Sequence, residues 1–146
     1  PTLDLMTSLL GCTVHGEDED RVRVGVHGGG PGKFIDIVAN PDADAPVNGL
    51  GTVHHVALTI GTPDEQIRLR KELIKYGCKV TDVRDRTYFT SIYFREPGGV
   101  LFEVATVGPG FLIDEELEHL GRDLKLPSWE EARRADIEAG LASVQS

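Results

Sequence analysis

The chain has 146 residues, enough for one domain with a modest core, and its 40% hydrophobic and 27% charged residues are ordinary for a globular protein. No apolar run approaches the roughly 20 residues that a membrane-spanning helix needs. The net charge of -9 disfavours nucleic acid as a partner, because phosphates are bound by basic surfaces. No basic, apolar leader is visible at the start, so we expect a cytoplasmic protein.

The first 39 residues predict one helix followed by three strands. Leucines recur at helical spacing after Thr2, which can cap the helix, and Gly11 ends it. Alternating valines predict two strands around an acidic turn at residues 17–20, and residues 34–39 predict a third strand. The glycine-rich run at residues 28–32 leads into that strand and not into a helix, so we interpret it as a hairpin loop and not as a phosphate-binding loop.

Residues 53–106 predict a complete βαβββ unit, after a polar linker over residues 40–51. Thr62 with Glu65 is typical of a helix start, and Gly77 of a helix end. We expect this helix to bury Ile67, Leu69, Leu73 and Ile74, and we predict strands over residues 53–60, 78–83, 90–95 and 100–106.

The first part repeats this pattern without its opening strand. We therefore predict an α+β fold of paired βαβββ modules, with an incomplete module over residues 1–45 and a complete one over residues 46–112. Residues 113–146 are predicted to be a C-terminal helical extension. In that extension we expect a cap at Asp114, a capping box of Ser128 and Glu131 that opens a helix reaching Ser143, and packing by Trp129, Ile137 and Leu141.

Strand alternation predicts a polar cluster on one face of the second module. Alternate residues from Val56 to Ile60 form an apolar face, so His55 points the other way, and the same alternation puts Tyr93 and Glu103 on the face of His55. Glu103 stands within an apolar strand, where a carboxylate is costly unless it is paired, hydrogen-bonded or metal-bound. Considered alone, Glu103 would be interpreted as a member of a salt bridge, and His55 as a core histidine with its hydrogen bonds satisfied.

Together these residues predict part of a mononuclear metal site of the two-His, one-carboxylate kind, with His55 and Glu103 as ligands. Such sites with open positions are typical of non-haem Fe(II), and Zn(II), Mn(II) or Ni(II) could use the same ligands.

Other candidates are less specific. Alternation directs His54 away from His55, although it could still act as a donor behind the metal ligands. Arg86, in the loop before the strand of Tyr93, could hold an anionic substrate oxygen or be a solvated surface residue. We expect surface positions for His15, His27 and His119, and small core thiols for Cys12 and Cys78, which form no C-x-x-C pair.

Three runs of the sequence resemble a known family: GTVHHVAL at residues 51–58, DRTYFTSIYFREPGGVLFEVAT at residues 85–106 and GPGF at residues 108–111. They are similar to the C-terminal part of the ring-cleaving dioxygenases of the vicinal oxygen chelate (glyoxalase/bleomycin resistance/dioxygenase) superfamily, a branch that includes hydroquinone dioxygenases. The resemblance implies paired βαβββ modules whose sheets curl around a metal.

The resemblance also implies Fe(II) held by His55 and Glu103, with catalytic roles for His54, Arg86 and Tyr93 around a dihydroxylated aromatic such as a hydroquinone or catechol. The reaction it implies is ring opening by O2, so the expected partners are a small aromatic substrate and O2. Family members have four modules and take a third ligand, a histidine, from the opening strand of the first. With two modules and two ligands, this sequence predicts a missing N-terminal half or a homodimer.

Two other functions stay open. One is a glyoxalase-like isomerase or lyase that uses another divalent metal, and the other is a non-catalytic small-molecule-binding or dimerisation module. Arg86 and Tyr93 favour the dioxygenase over the isomerase, whereas the missing third ligand favours the non-catalytic module.

Overall fold

The computed structural model describes residues 1–44, 47 and 49–142, and the chain divides into two compact units, Pro1–Gly108 and Pro109–Ser146. Among these residues no helix has the length and hydropathy to cross a membrane. The first unit contains both modules. Ala45, Pro46 and Asn48 of the predicted linker lie outside the described residues.

The first module is one helix followed by a three-stranded antiparallel sheet in the order β1-β2-β3. The prediction that Thr2 caps the helix is wrong, because Thr2 is the first residue of the helix. Its hydroxyl donates to Glu96 Oε2 at 2.6 Å. The acidic turn is tighter than predicted, because β1 extends to Asp18. The glycine-rich run connects β2 to β3, as expected of a hairpin loop. The elements are α1 (Thr2–Ser8), β1 (Thr13–Asp18), β2 (Arg21–Gly25) and β3 (Phe34–Val38).

The second module is a complete βαβββ unit with the sheet order β4-β7-β6-β5. Strand β4 pairs in parallel with β7, and the other pairs are antiparallel. In the first module β3 takes the place of β7, and the described residues include no strand in the place of β4. The α+β fold of paired modules, the first without its opening strand, is thereby confirmed. The elements are β4 (Val56–Ile60), α2 (Pro63–Tyr76), β5 (Arg84–Asp85), β6 (Thr90–Arg95) and β7 (Leu101–Thr106).

Two strand predictions need correction. Strand β4 begins at Val56 and not at residue 53, so His55 precedes it. Residues 78–83 form no strand and make one isolated bridge, between Val80 and Phe94. The Thr81 amide donates to the Tyr93 carbonyl at 2.9 Å, and side chains add to this bond: Arg70 donates to the Thr81 carbonyl at 2.7 Å, and the Thr81 hydroxyl accepts from the Tyr93 amide at 3.0 Å.

Helix α2 begins and ends where the sequence predicts. The Thr62 hydroxyl accepts from the Glu65 amide at 3.2 Å and donates to the Glu65 carboxylate at 3.0 Å, which closes the first turn. Gly77 takes the left-handed conformation, with φ of 109°, that ends helices and suits glycine.

The buried face of α2 matches the prediction in part: Leu73 is buried and Leu69 packs against the core. Ile67 and Ile74 are exposed, at 43% and 46%, whereas Leu73 and Gln66 are fully buried. Gln66 Nε2 donates to the carbonyls of Thr90 at 2.9 Å and Val104 at 2.8 Å. Its Oε1 accepts from the Thr90 hydroxyl at 3.0 Å, so this buried amide has its main partners and fixes α2 to β6 and β7.

One hydrophobic core joins the two modules, because helix α1 and strand β2 pack against the sheet of the second module. Neither Cys12 nor Cys78 forms a disulfide. Burial raises the pKa of both thiols. Among the described residues, the buried apolar residues of this core are Leu5, Met6, Cys12, Val24, Leu73, Ile92, Phe94, Phe102 and Val104.

A buried carboxylate also ties the modules together. Glu96 is 3% exposed and lies in the turn between β6 and β7. Besides the Thr2 hydroxyl, it accepts from the backbone amides of Gly98 and Val100, both at 2.8 Å. Three donors therefore compensate for the desolvation of this charge.

The second unit has short 3₁₀ turns and helix α3 (Arg134–Gly140). The predicted capping box is absent: Glu131 instead pairs with Arg134 at 2.7 Å, which lowers the pKa of Glu131. Trp129 is 74% exposed and Leu141 56% exposed, so neither packs as predicted, while Ile137 is half-buried. Asp114 ends the turn Phe111–Ile113 and does not begin a helix. The predicted helix end at Ser143 lies outside the described residues.

Candidate functional site

A row of side chains crosses the face of the second sheet that points away from α2. Tyr93 on β6 lies directly opposite Glu103 on β7, and Glu103 is in register with Ala57 on β4. Because side chains alternate, Ile92 and Val104 occupy the other face, which belongs to the core. The register of β6 and β7 therefore fixes Tyr93 beside Glu103.

Glu103 is the centre of this row. It is 5% exposed, yet both carboxylate oxygens have partners. Oε1 accepts from the Tyr93 hydroxyl at 2.7 Å, and Oε2 lies 2.7 Å from His55 Nε2. These two short contacts compensate for the cost of burying a carboxylate.

His55 reaches Glu103 from the segment just before β4. Its side chain is 31% exposed, and its ring meets the Tyr93 ring edge to face, with centroids 5.9 Å apart. His55 Nδ1 lies 2.8 Å from His54 Nδ1. The two nitrogens of one imidazole point away from each other, so His54 and Glu103 occupy opposite sides of the His55 ring.

Arg86 completes the row from the loop after β5. Asp85 Oδ1 accepts from the Thr87 amide at 2.7 Å, and Thr87 has a φ of 68°, which turns the chain sharply. Arg86 Cζ lies 5.6 Å from the Tyr93 ring centroid, and its Nη2 is 3.4 Å from the Tyr93 oxygen. This geometry is a cation–π contact with a long hydrogen bond.

All five predicted site residues therefore lie in one contact chain, in the order His54, His55, Glu103, Tyr93, Arg86. Within the described part of the chain, no group of three or more His, Cys, Asp or Glu side chains is arranged to hold a metal ion. His54 does not add a third ligand beside His55 and Glu103, since it contacts the far side of the His55 ring. His15, His27 and His119 are exposed, as predicted.

Ser91 is a polar residue on this face that the sequence analysis missed. It lies two residues before Tyr93 on β6 and opposite Ala105 on β7. Ser91 is fully buried, and its hydroxyl has no hydrogen-bond partner. Strand alternation was the available signal, because Ser91 and Tyr93 share a face.

Comparison with protein families agrees with this arrangement of modules. The sequence profile described as "Glyoxalase/Bleomycin resistance protein/Dioxygenase superfamily" matches residues 2–104. The match therefore covers the first module and most of the second, including all five residues of the contact chain.

Longer proteins are similar to this chain over most of its length. "Putative ring-cleaving dioxygenase MhqA" of Bacillus subtilis (strain 168) is 36% identical over 151 residues, covering 99% of this chain and 48% of that protein. "Chlorohydroquinone/hydroquinone 1,2-dioxygenase" of Sphingobium indicum is 38% identical over 115 residues, covering 76% of this chain and 35% of that protein. The chain thus spans less than half the length of these relatives.

A solved structure has the same fold. The crystal structure of a "putative dioxygenase" from Bacillus subtilis subsp. subtilis str. 168 superposes with a TM-score of 0.89 at 40% sequence identity. The superposition covers 99% of this chain and 46% of that one.

Proposed function

The chain belongs to the glyoxalase/bleomycin resistance protein/dioxygenase superfamily, and on that premise we propose that it is the metal-bearing part of an Fe(II)-dependent ring-cleaving dioxygenase. The proposed substrate is a dihydroxylated aromatic such as a hydroquinone or catechol, with O2 as the second substrate. The name of the Bacillus relative supports ring cleavage, and the name of the Sphingobium relative supports a hydroquinone as substrate.

The observation that carries the proposal is the buried Glu103 carboxylate with His55 against one oxygen and Tyr93 against the other. An ion pair with a purely structural role needs no further side chains to orient its two members. Here the carboxylate is oriented by a tyrosine, and the histidine by a second histidine. Ordered partners behind a histidine and a carboxylate are typical of metal ligands.

The donor atoms fit a divalent metal in part. His55 Nε2 and Glu103 Oε2 converge on one point, and an imidazole nitrogen with a carboxylate oxygen suits Fe(II) and also Mn(II), Zn(II) or Ni(II). A bound Fe(II) would supply a centre at which a ring oxygen and O2 meet and through which electrons pass from the ring to O2. Its third protein ligand would come from a second copy of the chain or from a missing N-terminal half.

The contacts of the histidine pair allow two proton arrangements. In one arrangement Nε2 of His55 donates to the Glu103 carboxyl group, and its Nδ1 accepts from Nδ1–H of His54. To act as a ligand, His55 must carry its proton on Nδ1 instead. The Nδ1–H of His55 then donates to His54 Nδ1, and His54 carries its own proton on Nε2. His54 would thus accept a hydrogen bond from the tautomer of His55 that binds a metal, and so stabilise it.

Tyr93 and Arg86 have complementary proposed roles. The Tyr93 hydroxyl donates to Glu103 Oε1, which keeps Oε2 directed at His55. The Arg86 guanidinium lies over the Tyr93 ring and is exposed, so it brings a permanent positive charge beside the site. It would attract the anionic oxygen of a deprotonated ring hydroxyl and hold it there.

One observation favours a second candidate, a non-catalytic module that binds a small molecule or a second copy. The described residues contain two converging metal donors and no third. Such a module would bind a hydroquinone without consuming oxygen.

The test is to load the chain anaerobically with Fe(II) and measure bound iron and oxygen uptake with hydroquinone and catechol. His55→Ala and Glu103→Ala are compared with matched changes at exposed positions, His119→Ala and Glu17→Ala. We expect near-stoichiometric iron in the parent and both controls, and its loss in both site variants. Equal iron in the site variants would contradict the metal assignment. Hydroquinone binding without oxygen uptake would favour the second candidate.

A further inference from the structure

Arg86 is held by an unusual turn between strands β5 and β6. The Arg86 amide donates to the Phe89 carbonyl at 2.9 Å, so Thr87 and Tyr88 alone make the connection. The Tyr88 amide donates back to the Arg86 carbonyl at 2.8 Å, which closes a smaller ring inside the turn. Both the amide and the carbonyl of Arg86 are therefore bonded within this turn.

Thr87 has a backbone conformation that threonine rarely adopts. Its φ is 68°, and the hydrogen bond that spans it joins residues two apart, as in the strained form of the γ-turn. Glycine normally occupies a position of positive φ in a two-residue hairpin turn, because a β-branched side chain is crowded there. Such strain persists only where surrounding contacts impose it, and it is concentrated at functional sites.

The Asp85 carboxylate is the contact that favours this conformation. Its Oδ1 accepts from the Thr87 amide at 2.7 Å, a bond from a side chain to the backbone two residues further on. Asp85 itself pairs with Thr90 across the β5–β6 ladder, so its own backbone is fixed by the sheet. The carboxylate thus joins the strained residue to a regular strand.

The turn determines where the Arg86 side chain points. Arg84 lies opposite Ser91, and Ser91 shares a face of the sheet with Tyr93. Arg86 comes two residues after Arg84, so its side chain starts from that same face. The guanidinium is exposed and stands at the end of a long side chain, so a small rotation of the Arg86 backbone would carry it away from the Tyr93 ring.

We propose that Asp85 and Thr87 are positioning residues that hold the Arg86 guanidinium over the Tyr93 ring before any ligand binds. The turn places Arg86 where its 5.6 Å contact with the ring centroid and its 3.4 Å contact with the hydroxyl oxygen can form. The inference rests on the proposed function, in which Arg86 meets the anionic oxygen of a ring hydroxyl. An arginine that is ordered beforehand loses less side-chain entropy on binding, so the turn increases the affinity for a phenolate.

The test compares Asp85→Ala with Asp85→Asn. Asparagine removes the charge but keeps a side-chain oxygen that can accept from the Thr87 amide, whereas alanine removes both. Asp18→Ala is the matched control, because Asp18 Oδ1 also accepts a backbone amide, that of Glu19 at 2.9 Å, in the hairpin of the first module. Thermal melting checks the folding of each variant.

Two measurements separate positioning from binding, and neither needs turnover. The first is the ring-current shift that the Tyr93 ring imposes on the Arg86 side-chain signals in NMR spectra, with Arg86→Lys used to assign those signals. The second is the affinity for 4-nitrophenolate, an anionic phenol. It is titrated by absorbance in the metal-free chain and again after anaerobic loading with Fe(II).

We expect Asp85→Ala to lose most of the ring-current shift and about two- to ten-fold in nitrophenolate affinity, whereas Asp85→Asn and Asp18→Ala keep both. A shift that survives in Asp85→Ala would overturn the proposal. Equal losses in Asp85→Ala and Asp85→Asn would also overturn it, since the charge and not the turn would then be responsible. Loss of the shift with unchanged affinity, or a parent chain that binds no nitrophenolate in either metal state, would overturn it as well.

If Asp85→Ala does not fold, Asp85→Glu takes its place. Glutamate keeps the charge on a longer side chain that cannot close the same turn, so the same losses are expected, and their absence overturns the proposal. Failure of the proposed function is a separate result. A parent chain that takes up no oxygen with hydroquinone, while Asp85→Ala shows both losses, would contradict ring cleavage and support the positioning of Arg86.

Discussion

Tyr93 and Glu103 face each other across the β6–β7 ladder, and the Tyr93 hydroxyl donates a 2.7 Å hydrogen bond to Glu103 Oε1. The carboxylate is thereby held in one orientation by a residue of its own sheet, with Oε2 left for His55. A metal bound by His55 and Glu103 would therefore meet a carboxylate that is already oriented.

Tyr93→Phe tests this ordering. Removing the hydroxyl leaves one oxygen of a buried carboxylate without its donor, so we expect Fe(II) affinity to fall about ten- to hundred-fold. Affinity is measured anaerobically by competition with a chromogenic chelator. Tyr76→Phe is the control, because the Tyr76 hydroxyl bonds to Asp4 on helix α1. Unchanged affinity in Tyr93→Phe would count against a metal role for Glu103.

His54→Ala and His54→Asn separate two roles of His54. If His54 stabilises the metal-binding tautomer of His55 through the 2.8 Å contact, the alanine variant should lose about ten-fold or more in Fe(II) affinity. Asparagine keeps a side-chain hydrogen-bond acceptor and should restore part of it. The same competition assay applies, with thermal melting as a check on folding. Equal losses of affinity in both variants would contradict a role for His54 as the hydrogen-bond acceptor of His55.

Gln66→Leu tests the buried amide of α2. The change leaves the carbonyls of Thr90 and Val104 without their amide donor, so we expect a loss of about 1–3 kcal/mol in the free energy of unfolding. Urea titration measures it. Ile67→Ala, at the adjacent exposed position, should change stability by less than about 0.5 kcal/mol. A larger loss at Ile67 than at Gln66 would contradict the observed face of α2.

Asp36→Asn should show a pH-dependent loss of stability. The hydrogen bond from Arg23 to Asp36 holds the pKa of Asp36 below its usual value in the folded chain. The stabilisation is therefore present above the unfolded pKa, about 4, and disappears as the pH falls through the lower folded pKa.

The parent and Asp36→Asn are compared by urea unfolding between pH 2 and 7, where about 4 is the expected turning point. Arg23→Met should remove the same stabilisation, and the double variant should lose no more than either single one. A difference that persists at the lowest pH would show that packing, and not charge, is responsible.

Much of the site was predictable because it rests on strand alternation. Tyr93 and Glu103 lie on regular strands, where a period of two assigns the face correctly. His55 was predicted on the correct side of the sheet, but strand alternation does not explain its position, because His55 precedes β4. Its contact with His54 was beyond sequence pattern, because the backbone between two adjacent residues outside a strand sets where each ring points.

The parts that sequence did not predict depend on buried polar groups and on local ion pairs. Hydrophobic periodicity selected Ile67 and Ile74, since a buried glutamine such as Gln66 looks polar until its carbonyl partners are known. The same limit applies to Glu96, whose donors lie two and four residues ahead and on helix α1. At Glu131, pairing with Arg134 replaced the predicted capping box.

The core shared by the two modules has a consequence for how the first unit comes apart. Leu5 and Met6 of α1 are buried in the same cluster as Phe102 of β7, so neither module can open without exposing the interior of the other. Residues Pro1–Gly108 should therefore melt in a single calorimetric transition, with no stage at which one module survives alone. The two modules therefore repeat the same arrangement of elements but do not fold independently. Limited proteolysis should release no stable single module.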